Sequence, residues 1–382
     1  MAAIALAALA LAGTAAGAAA GPSSDVRVAF VANHDLVVAD LTNGTQQVVL
    51  QHAIEGPVAW SGDGALLSDG GQVVGGPALP TTRIAWSPVG ETAAYIAPDG
   101  SVDLWTPGGG QLTIVQKTWG ARSLAWGAQG QLAIARQLLP GRDRTPTHQE
   151  IWIWQSGALT RAVGPLGGEQ LPIVDGVAPD GGVLWWSDAQ DSASIAADGL
   201  PLYDGTRKIG TTLVFPDYVA VCGTQLVFVD GGDRYTTRGK SIVDDGSDIS
   251  RDTALSWVSP SCSGTSVVAA AGRNWAEPTI GQGENRSIWQ LEPTRVRLTR
   301  PPAGWTDEDP QLLPDGSVLF VRTHQTYGRG SATTLHASLD RNVNGTVTSI
   351  ASLTTTVDAL ASAWEPDYFG HYGWPSVVAV AP

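Results

Sequence analysis

The residues that could carry out chemistry are few and widely spaced. The six histidines are His34, His52, His148, His324, His336 and His371, and no pair of them has the His-Glu-x-x-His spacing that binds zinc on a helix. The chain has no Gly-x-Ser-x-Gly nucleophile elbow and no Gly-x-x-x-x-Gly-Lys-Ser/Thr phosphate loop. The sequence therefore predicts no catalytic residue, no metal site and no cofactor.

Paired carboxylates are the one enzymatic arrangement that the sequence leaves open. Glycoside hydrolysis needs two carboxyl groups at a set separation, and the chain has 36 acidic residues from which to draw a pair. Glu277 and Asp307 are the least arbitrary choice, because both fall in segments expected at the same end of the fold. A hydrolase or lyase acting on glycans or peptides is therefore the alternative function.

A larger set of charged and aromatic side chains falls in the long predicted loops and in the segments between repeats. Such loops gather at one end of a repeat fold, and we expect them to form a rim that binds a ligand or partner. The alternative is solvated loops whose tryptophans pack over the sheet edges. The predicted rim residues are Arg142, His148, Arg273, Trp275, Glu277, Trp305, Asp307, His324 and Tyr327.

The elements that must position this rim are short strands in a repeated unit. Ala85-Trp86-Ser87-Pro88 precedes a strand, the turn Pro98-Asp99-Gly100 follows, and a further strand ends at Trp105. In such turns proline fixes φ and glycine accepts a positive φ, so the two strands pair back on each other. Four antiparallel strands per unit, repeated along the chain, predict the blades of an all-β propeller.

The repeat resembles the TolB-like, WD-repeat-like propeller family of exported bacterial proteins. The resemblance rests on two segments. One is Asp307–Phe320, with its Leu-Pro-Asp-Gly turn, and the other is Arg286–Leu291, followed by Arg297-Leu298-Thr299-Arg300. The resemblance covers nearly everything after about residue 25 and implies a propeller. The separate amino-terminal domain of the TolB component has no counterpart in this sequence. The recurrent Trp60, Trp86, Trp126 and Trp364 are predicted to pack between blades.

Blade number follows from length. About 50 residues per blade predict a single domain, residues 26–382, of about seven four-stranded blades, with six or eight as alternatives. The first three predicted strands look like the second, third and fourth strands of a blade that has no first strand. We therefore expect a strand from the other terminus to complete this blade and close the ring. Ala359–Trp364 is the candidate for the closing strand.

The two cysteines occupy similar local settings one repeat apart. Cys222 and Cys262 each precede a new strand, 40 residues from each other. Equivalent positions on neighbouring blades are close enough for a bridge, so we predict a disulfide, with two buried thiols as the alternative.

The first 20 residues and the net charge limit the expected location and partners of the protein. Residues 1–20 form an apolar, Ala-rich segment ending in Ala18-Ala19-Ala20, which predicts a cleaved signal segment although no Lys or Arg precedes it. The net charge of −14 argues against a nucleic-acid partner. We expect a monomeric, exported, non-catalytic binding or scaffold module without a transmembrane segment, which binds a protein or cell-envelope ligand.

Overall fold

The structure, a computed structural model, is an all-β propeller of eight blades around a central channel. It describes residues 26–53, 56–138, 148–167, 170–189, 199–212, 214, 218–231, 240–250, 252, 254–273, 285–326, 334–353, 355–356 and 377–382. The signal segment predicted for residues 1–20 lies outside these ranges. Among the described residues no helix has the length and apolar character needed to cross a bilayer.

The first half of the ring contains strands of two to nine residues. They are β1 (Arg27–Ala32), β2 (Asp35–Asp40), β3 (Thr45–Leu50), β4 (Val58–Trp60), β5 (Leu67–Asp69), β6 (Gln72–Val73), β7 (Ala85–Trp86), β8 (Ala93–Ile96), β9 (Val102–Thr106), β10 (Gly110–Val115), β11 (Trp119–Trp126), β12 (Leu132–Leu138), β13 (Gln149–Gln155) and β14 (Ala158–Leu166).

The second half continues the same antiparallel pattern. Its strands are β15 (Gln170–Val177), β16 (Val183–Ala189), β17 (Leu200–Asp204), β18 (Arg207–Thr212), β19 (Val219–Cys222), β20 (Gln225–Asp230), β21 (Ser241–Asp244), β22 (Ser247–Asp248), β23 (Leu255–Ser263), β24 (Ser266–Arg273), β25 (Ser287–Glu292), β26 (Val296–Arg297), β27 (Thr306–Leu312), β28 (Val318–Thr326), β29 (Thr334–Val343), β30 (Thr346–Ser352), β31 (Thr355–Thr356) and β32 (Val378–Val380).

Blade 1 consists of β1–β3 with β32, blade 2 of β4–β6, and blades 3 to 7 of four consecutive strands each; blade 8 is β27–β31. The prediction of seven blades is therefore wrong, and eight, one of its alternatives, is the observed number. The physical reason is blade 2, which has only three strands of two or three residues. When one blade is this small, dividing the chain length by the length of a standard blade gives too few blades.

Burial explains which residues form which strand. The second strands are packed between two neighbouring blades, and runs such as Leu132–Ala135 and Val267–Ala271 are almost wholly buried. Apolar β-branched, aromatic and small residues suit strands covered on both faces. The fourth strands lie at the circumference, so β10 has four exposed residues in succession.

The Pro-Asp-Gly turns have the predicted chemistry. In the turn before β28 the Asp315 carboxylate accepts hydrogen bonds from the backbone N–H and the hydroxyl of Ser317, at 3.0 and 2.6 Å. Asp99 and Ser101 repeat this arrangement, at 3.0 and 2.7 Å. The intervening glycines have φ near +80°, a region that disfavours other residues.

Strands from both termini close the ring, as predicted. β32 pairs antiparallel with β1 through Val28↔Val380, Ala29↔Ala379 and Phe30↔Val378. The candidate closing strand Ala359–Trp364 lies outside the described residues, and Val378–Val380 occupies the innermost position of blade 1. Blades 1 and 8 then share one apolar cluster, which includes Phe30 and Leu339.

The recurrent tryptophans join neighbouring blades, as predicted for Trp60, Trp86 and Trp126. Each stands at the end of a first strand and donates its indole N–H to the preceding blade. The acceptors are the Ala379 carbonyl, the Ser68 hydroxyl and the Ala85 carbonyl, at 3.1, 2.9 and 2.9 Å. Trp364 lies outside the described residues.

The predicted disulfide is present. Cys222 and Cys262 bridge the first strands of blades 6 and 7, and their Cα atoms are 5.9 Å apart. The bond cross-links two blades at the inner wall of the ring, which is the equivalence that the repeat spacing indicated.

Candidate ligand site in the central channel

The first strands of the blades surround the channel, and bulges in two of them bring charged residues to its wall. In β11 the pairing register shifts between Ala121 and Ser123, which leaves Arg122 as the extra residue. In β15 it shifts between Val174 and Gly176, which leaves Asp175 as the extra residue. Because a bulged residue drops out of the ladder and is re-aimed, a charge can face the channel from an otherwise apolar strand.

A third charged residue, Arg83, comes from the connection between blades 2 and 3. Blade 2 has no fourth strand, and the chain instead returns across it: the Leu79 N–H donates to the Gly71 carbonyl at 2.8 Å. The approach is so close that a Cβ on Gly71 would lie 2.1 Å from the Thr81 carbonyl oxygen. The Thr81 hydroxyl then holds the backbone of Arg83 by two hydrogen bonds, of 3.0 and 3.2 Å.

These residues line two adjoining cavities. The first, of about 300 Å³, has Arg122 and Trp186 in its wall. The second, of about 520 Å³, lies between the first strands of blades 2 to 6 and has the inter-blade tryptophans in its wall. Arg83 and Asp175 line both cavities. The oppositely charged pair therefore stands where the two cavities meet.

Arg83 and Asp175 interact electrostatically in this site. Burial lowers the pKa of the Arg83 guanidinium, and the attraction of Asp175 only partly opposes it. The Arg83 side chain is nevertheless exposed to solvent at the channel wall. A polar or anionic ligand group that enters the channel can therefore reach this cation.

A second ion pair borders the first cavity. Arg122 Nη2 lies 3.3 Å from Asp188 Oδ2, and the Asp188 side chain is almost fully buried. Burial raises the pKa of the Asp188 carboxyl, against the opposing effect of Arg122. The other Asp188 oxygen and the indole N–H of Trp186 are buried without a hydrogen-bond partner. Arg122 is thus the exposed member of the pair and the one that a ligand can reach.

The predicted rim residues differ in where the structure places them. Arg142, Trp275, Glu277 and Tyr327 lie outside the described residues, and of Arg273 only the strand position, the last residue of β24, is described. His148 is exposed immediately before β13. Trp305 and His324 are brought together, with stacked rings whose centroids are 5.0 Å apart.

Asp307, which is also a predicted rim residue, is completely buried. Its two oxygens accept hydrogen bonds from Arg322 Nε and Nη2 at 2.7 and 3.0 Å. Arg322 Nη1 also lies 3.7 Å from Asp340. Burial raises the pKa of the Asp307 carboxyl, although Arg322 opposes this. A carboxylate enclosed in this way cannot touch a substrate, so Asp307 supplies no acid or base at the surface.

The sequence prediction missed Arg83, Arg122 and Asp175. A signal was available for two of them, since a charged residue interrupts the apolar strands Trp119–Trp126 and Gln170–Val177. The strand pattern alone does not distinguish a bulge that aims this charge into a channel from an ordinary solvent-facing position.

Comparison with known proteins gives similarity of fold and no family. No family model matches the sequence, and the search of curated proteins gives no match. The TolB-like resemblance is therefore not confirmed. The solved structures that match include an acylaminoacyl peptidase in complex with Z-Gly-Gly-Phe-chloromethyl ketone, at 10% identity and a TM-score of 0.47, over 87% of this chain and 51% of that one.

Two further matches cover almost the whole of the known chains. The β-propeller domain of the trilobed protease from Pyrococcus furiosus matches at 9% identity and a TM-score of 0.39, over 85% of this chain and 93% of that one. Apo AztD from Citrobacter koseri matches at 12% identity and a TM-score of 0.37, over 94% and 98%. This chain spans about half the length of the acylaminoacyl peptidases that it matches.

Proposed function

We propose that the protein is a non-catalytic binding propeller whose ligand enters the central channel and contacts Arg83, Arg122 and Asp175. The observation that carries the proposal is the composition of the channel site: two adjoining cavities of about 300 and 520 Å³ whose mixed polar and apolar walls include three charged side chains. Ligand pockets are concave sites in which a few polar groups converge beside apolar and aromatic side chains.

The ligand is a polar small molecule or the tip of a cell-envelope partner. A negatively charged group of the ligand pairs with Arg83, while the inter-blade tryptophans that line the same cavity offer apolar contact. Catalysis is the less favoured function, because the one described carboxylate of the predicted acid pair, Asp307, is enclosed by Arg322.

The test is retention of a bound species by the immobilised full-length protein. The wild type, Arg83→Met and Arg122→Met are incubated with an extracytoplasmic extract and washed, and bound molecules are identified by mass spectrometry. Arg207→Met is the matched control, since Arg207 also pairs with an aspartate but is 72% exposed at the outer edge of blade 5. We expect the wild type and the control to retain a species that both channel variants lose.

Thermal unfolding of each variant shows that a loss of binding is not a loss of fold. The proposal fails if all four proteins retain the same species, because the channel charges would then play no part in binding. It also fails if the retained species is converted to a product during incubation, since the protein would then be an enzyme.

We also propose that the protein is exported, with cleavage after Ala20. The Cys222–Cys262 disulfide supports this, since such bonds persist in oxidising compartments and are rare in the cytosol. Intact-mass measurement of the protein isolated from its native cells tests the proposal. A mature chain beginning at Gly21 is expected, and a full-length chain with reduced cysteines would contradict it.

A further inference from the structure

We propose that His324 and His336 form a binding site for a divalent late transition-metal ion at the top of blade 8. The two histidines are 12 positions apart in sequence, but the pairing of β28 with β29 places them directly opposite each other. Residues directly opposite in an antiparallel pair project from the same face, with Cβ atoms about 5 Å apart. Two imidazole nitrogens about 3 Å apart can share one ion at the usual metal–nitrogen distance of about 2 Å.

The His324 ring is already held as a metal-ligating imidazole is held. Its Nδ1 lies 2.7 Å from the Gly304 carbonyl oxygen. A carbonyl can only accept, so Nδ1 carries the proton and the lone pair of the neutral ring is at Nε2. Histidine ligands commonly donate their second N–H to a backbone carbonyl, which fixes both tautomer and ring orientation.

The Gly304 carbonyl that contacts His324 belongs to a tight turn just before β27. The Trp305 N–H donates to the Pro302 carbonyl at 3.0 Å, and Gly304, within the turn, has a φ of +81°. A Cβ at Gly304 would lie 3.4 Å from His324 Cε1, so the imidazole packs directly on this glycine. Trp305 stacks on the same ring at 5.0 Å. His324 is thus fixed from one side, and His336 faces it, exposed, from the other.

The surrounding charge favours a cation. One step down the same face, Arg322 is bound between Asp307 and Asp340, and this group carries one net negative charge when all three are ionised. No group of three His, Cys, Asp or Glu side chains suited to a metal occurs in the described part of the chain. The ion therefore takes two nitrogens from the protein and completes its coordination with water. Imidazole ligands select copper, nickel and zinc over magnesium and calcium, and Cu²⁺ binds most tightly of these.

Cu²⁺ titration of the full-length protein tests the site, with two independent signals. Electron paramagnetic resonance counts the nitrogens on bound Cu²⁺, and quenching of tryptophan emission reports binding beside Trp305. We expect one site with two nitrogens in the wild type. His324→Ala and His336→Ala should each abolish that two-nitrogen signal, whereas His148→Ala, which removes an exposed histidine from blade 4, should leave it unchanged.

Trp305→Phe should keep the two-nitrogen signal and lose part of the quenching, which separates binding from its fluorescence report. A one-nitrogen signal in the wild type, or an unchanged signal in both His324→Ala and His336→Ala, would overturn the proposal. The channel variants test a different site, so the two proposals succeed or fail independently.

Discussion

Replacement of Arg322 by methionine should be among the most destabilising single changes in blade 8. Arg322 makes two hydrogen bonds to Asp307, which is completely buried, and lies 3.7 Å from Asp340, which is 5% exposed. Methionine keeps most of the volume but leaves both carboxylates without a cation. Removal of one partner from a buried ion pair costs about 3–5 kcal/mol of unfolding free energy, because an uncompensated charge stays in the interior.

Urea unfolding at several pH values measures this cost. Burial already raises the pKa of the Asp307 carboxyl, and without Arg322 that pKa rises further above its unfolded value. The folded state then binds protons more strongly than the unfolded state, so stability falls as pH rises from about 4. The deficit of Arg322→Met should therefore be large at pH 7 and smaller near pH 4, and Asp307→Asn in the same chain should restore part of it.

The control is Arg207→Met, which removes a cation that is 72% exposed from the carboxylate of Asp204. Its loss should cost less than that of Arg322, because solvent already screens the Arg207 charge. Equal effects of Arg322→Met and Arg207→Met would refute the reasoning, as would a deficit that does not change with pH. Either result would mean that water reaches the carboxylates of blade 8.

Three further outcomes are expected. Cys222→Ser with Cys262→Ser should lower the unfolding free energy by about 4 kcal/mol for a 40-residue separation, and reduction of the wild type should match it in the same denaturation assay. Gly71→Ala should lower the thermal midpoint, at a cost of about 1–3 kcal/mol, because its Cβ meets the Thr81 carbonyl, whereas Gly167→Ala, with open space around its Cβ, should not. The raised pKa of Asp188 means that its ionisation above about pH 4 opposes folding, so Asp188→Asn should flatten the fall of stability with rising pH, measured by urea titration.

The fold was largely predictable because each blade repeats the same local chemistry. The turn at Asp315, the tryptophans at the ends of first strands and the paired cysteines are local features, and the structure confirms each of them. The closing strand was harder to place, because Val378–Val380 is only three residues long and carries no turn signature. Blade 2 was also indistinct, since strands of two or three residues leave no periodicity to count.

The candidate sites depend on geometry that one sequence does not encode locally. Arg122 and Asp175 reach the channel through bulges, and a bulge depends on how two strands pair, not on the type of the extra residue. His324 and His336 meet only because of the register between β28 and β29, which a loop one residue longer could change. The isolated position of the histidines in sequence therefore predicted no metal site.

The closure between β1 and β32 also sets the order in which the molecule can be completed. The pair Val28↔Val380 joins the first described strand to the last one. During synthesis β1 keeps an unpaired edge until β32 has been made. Unpaired edges of this kind are sites of aggregation in unfinished chains. Blade 1 is therefore begun before the other seven blades and completed after them.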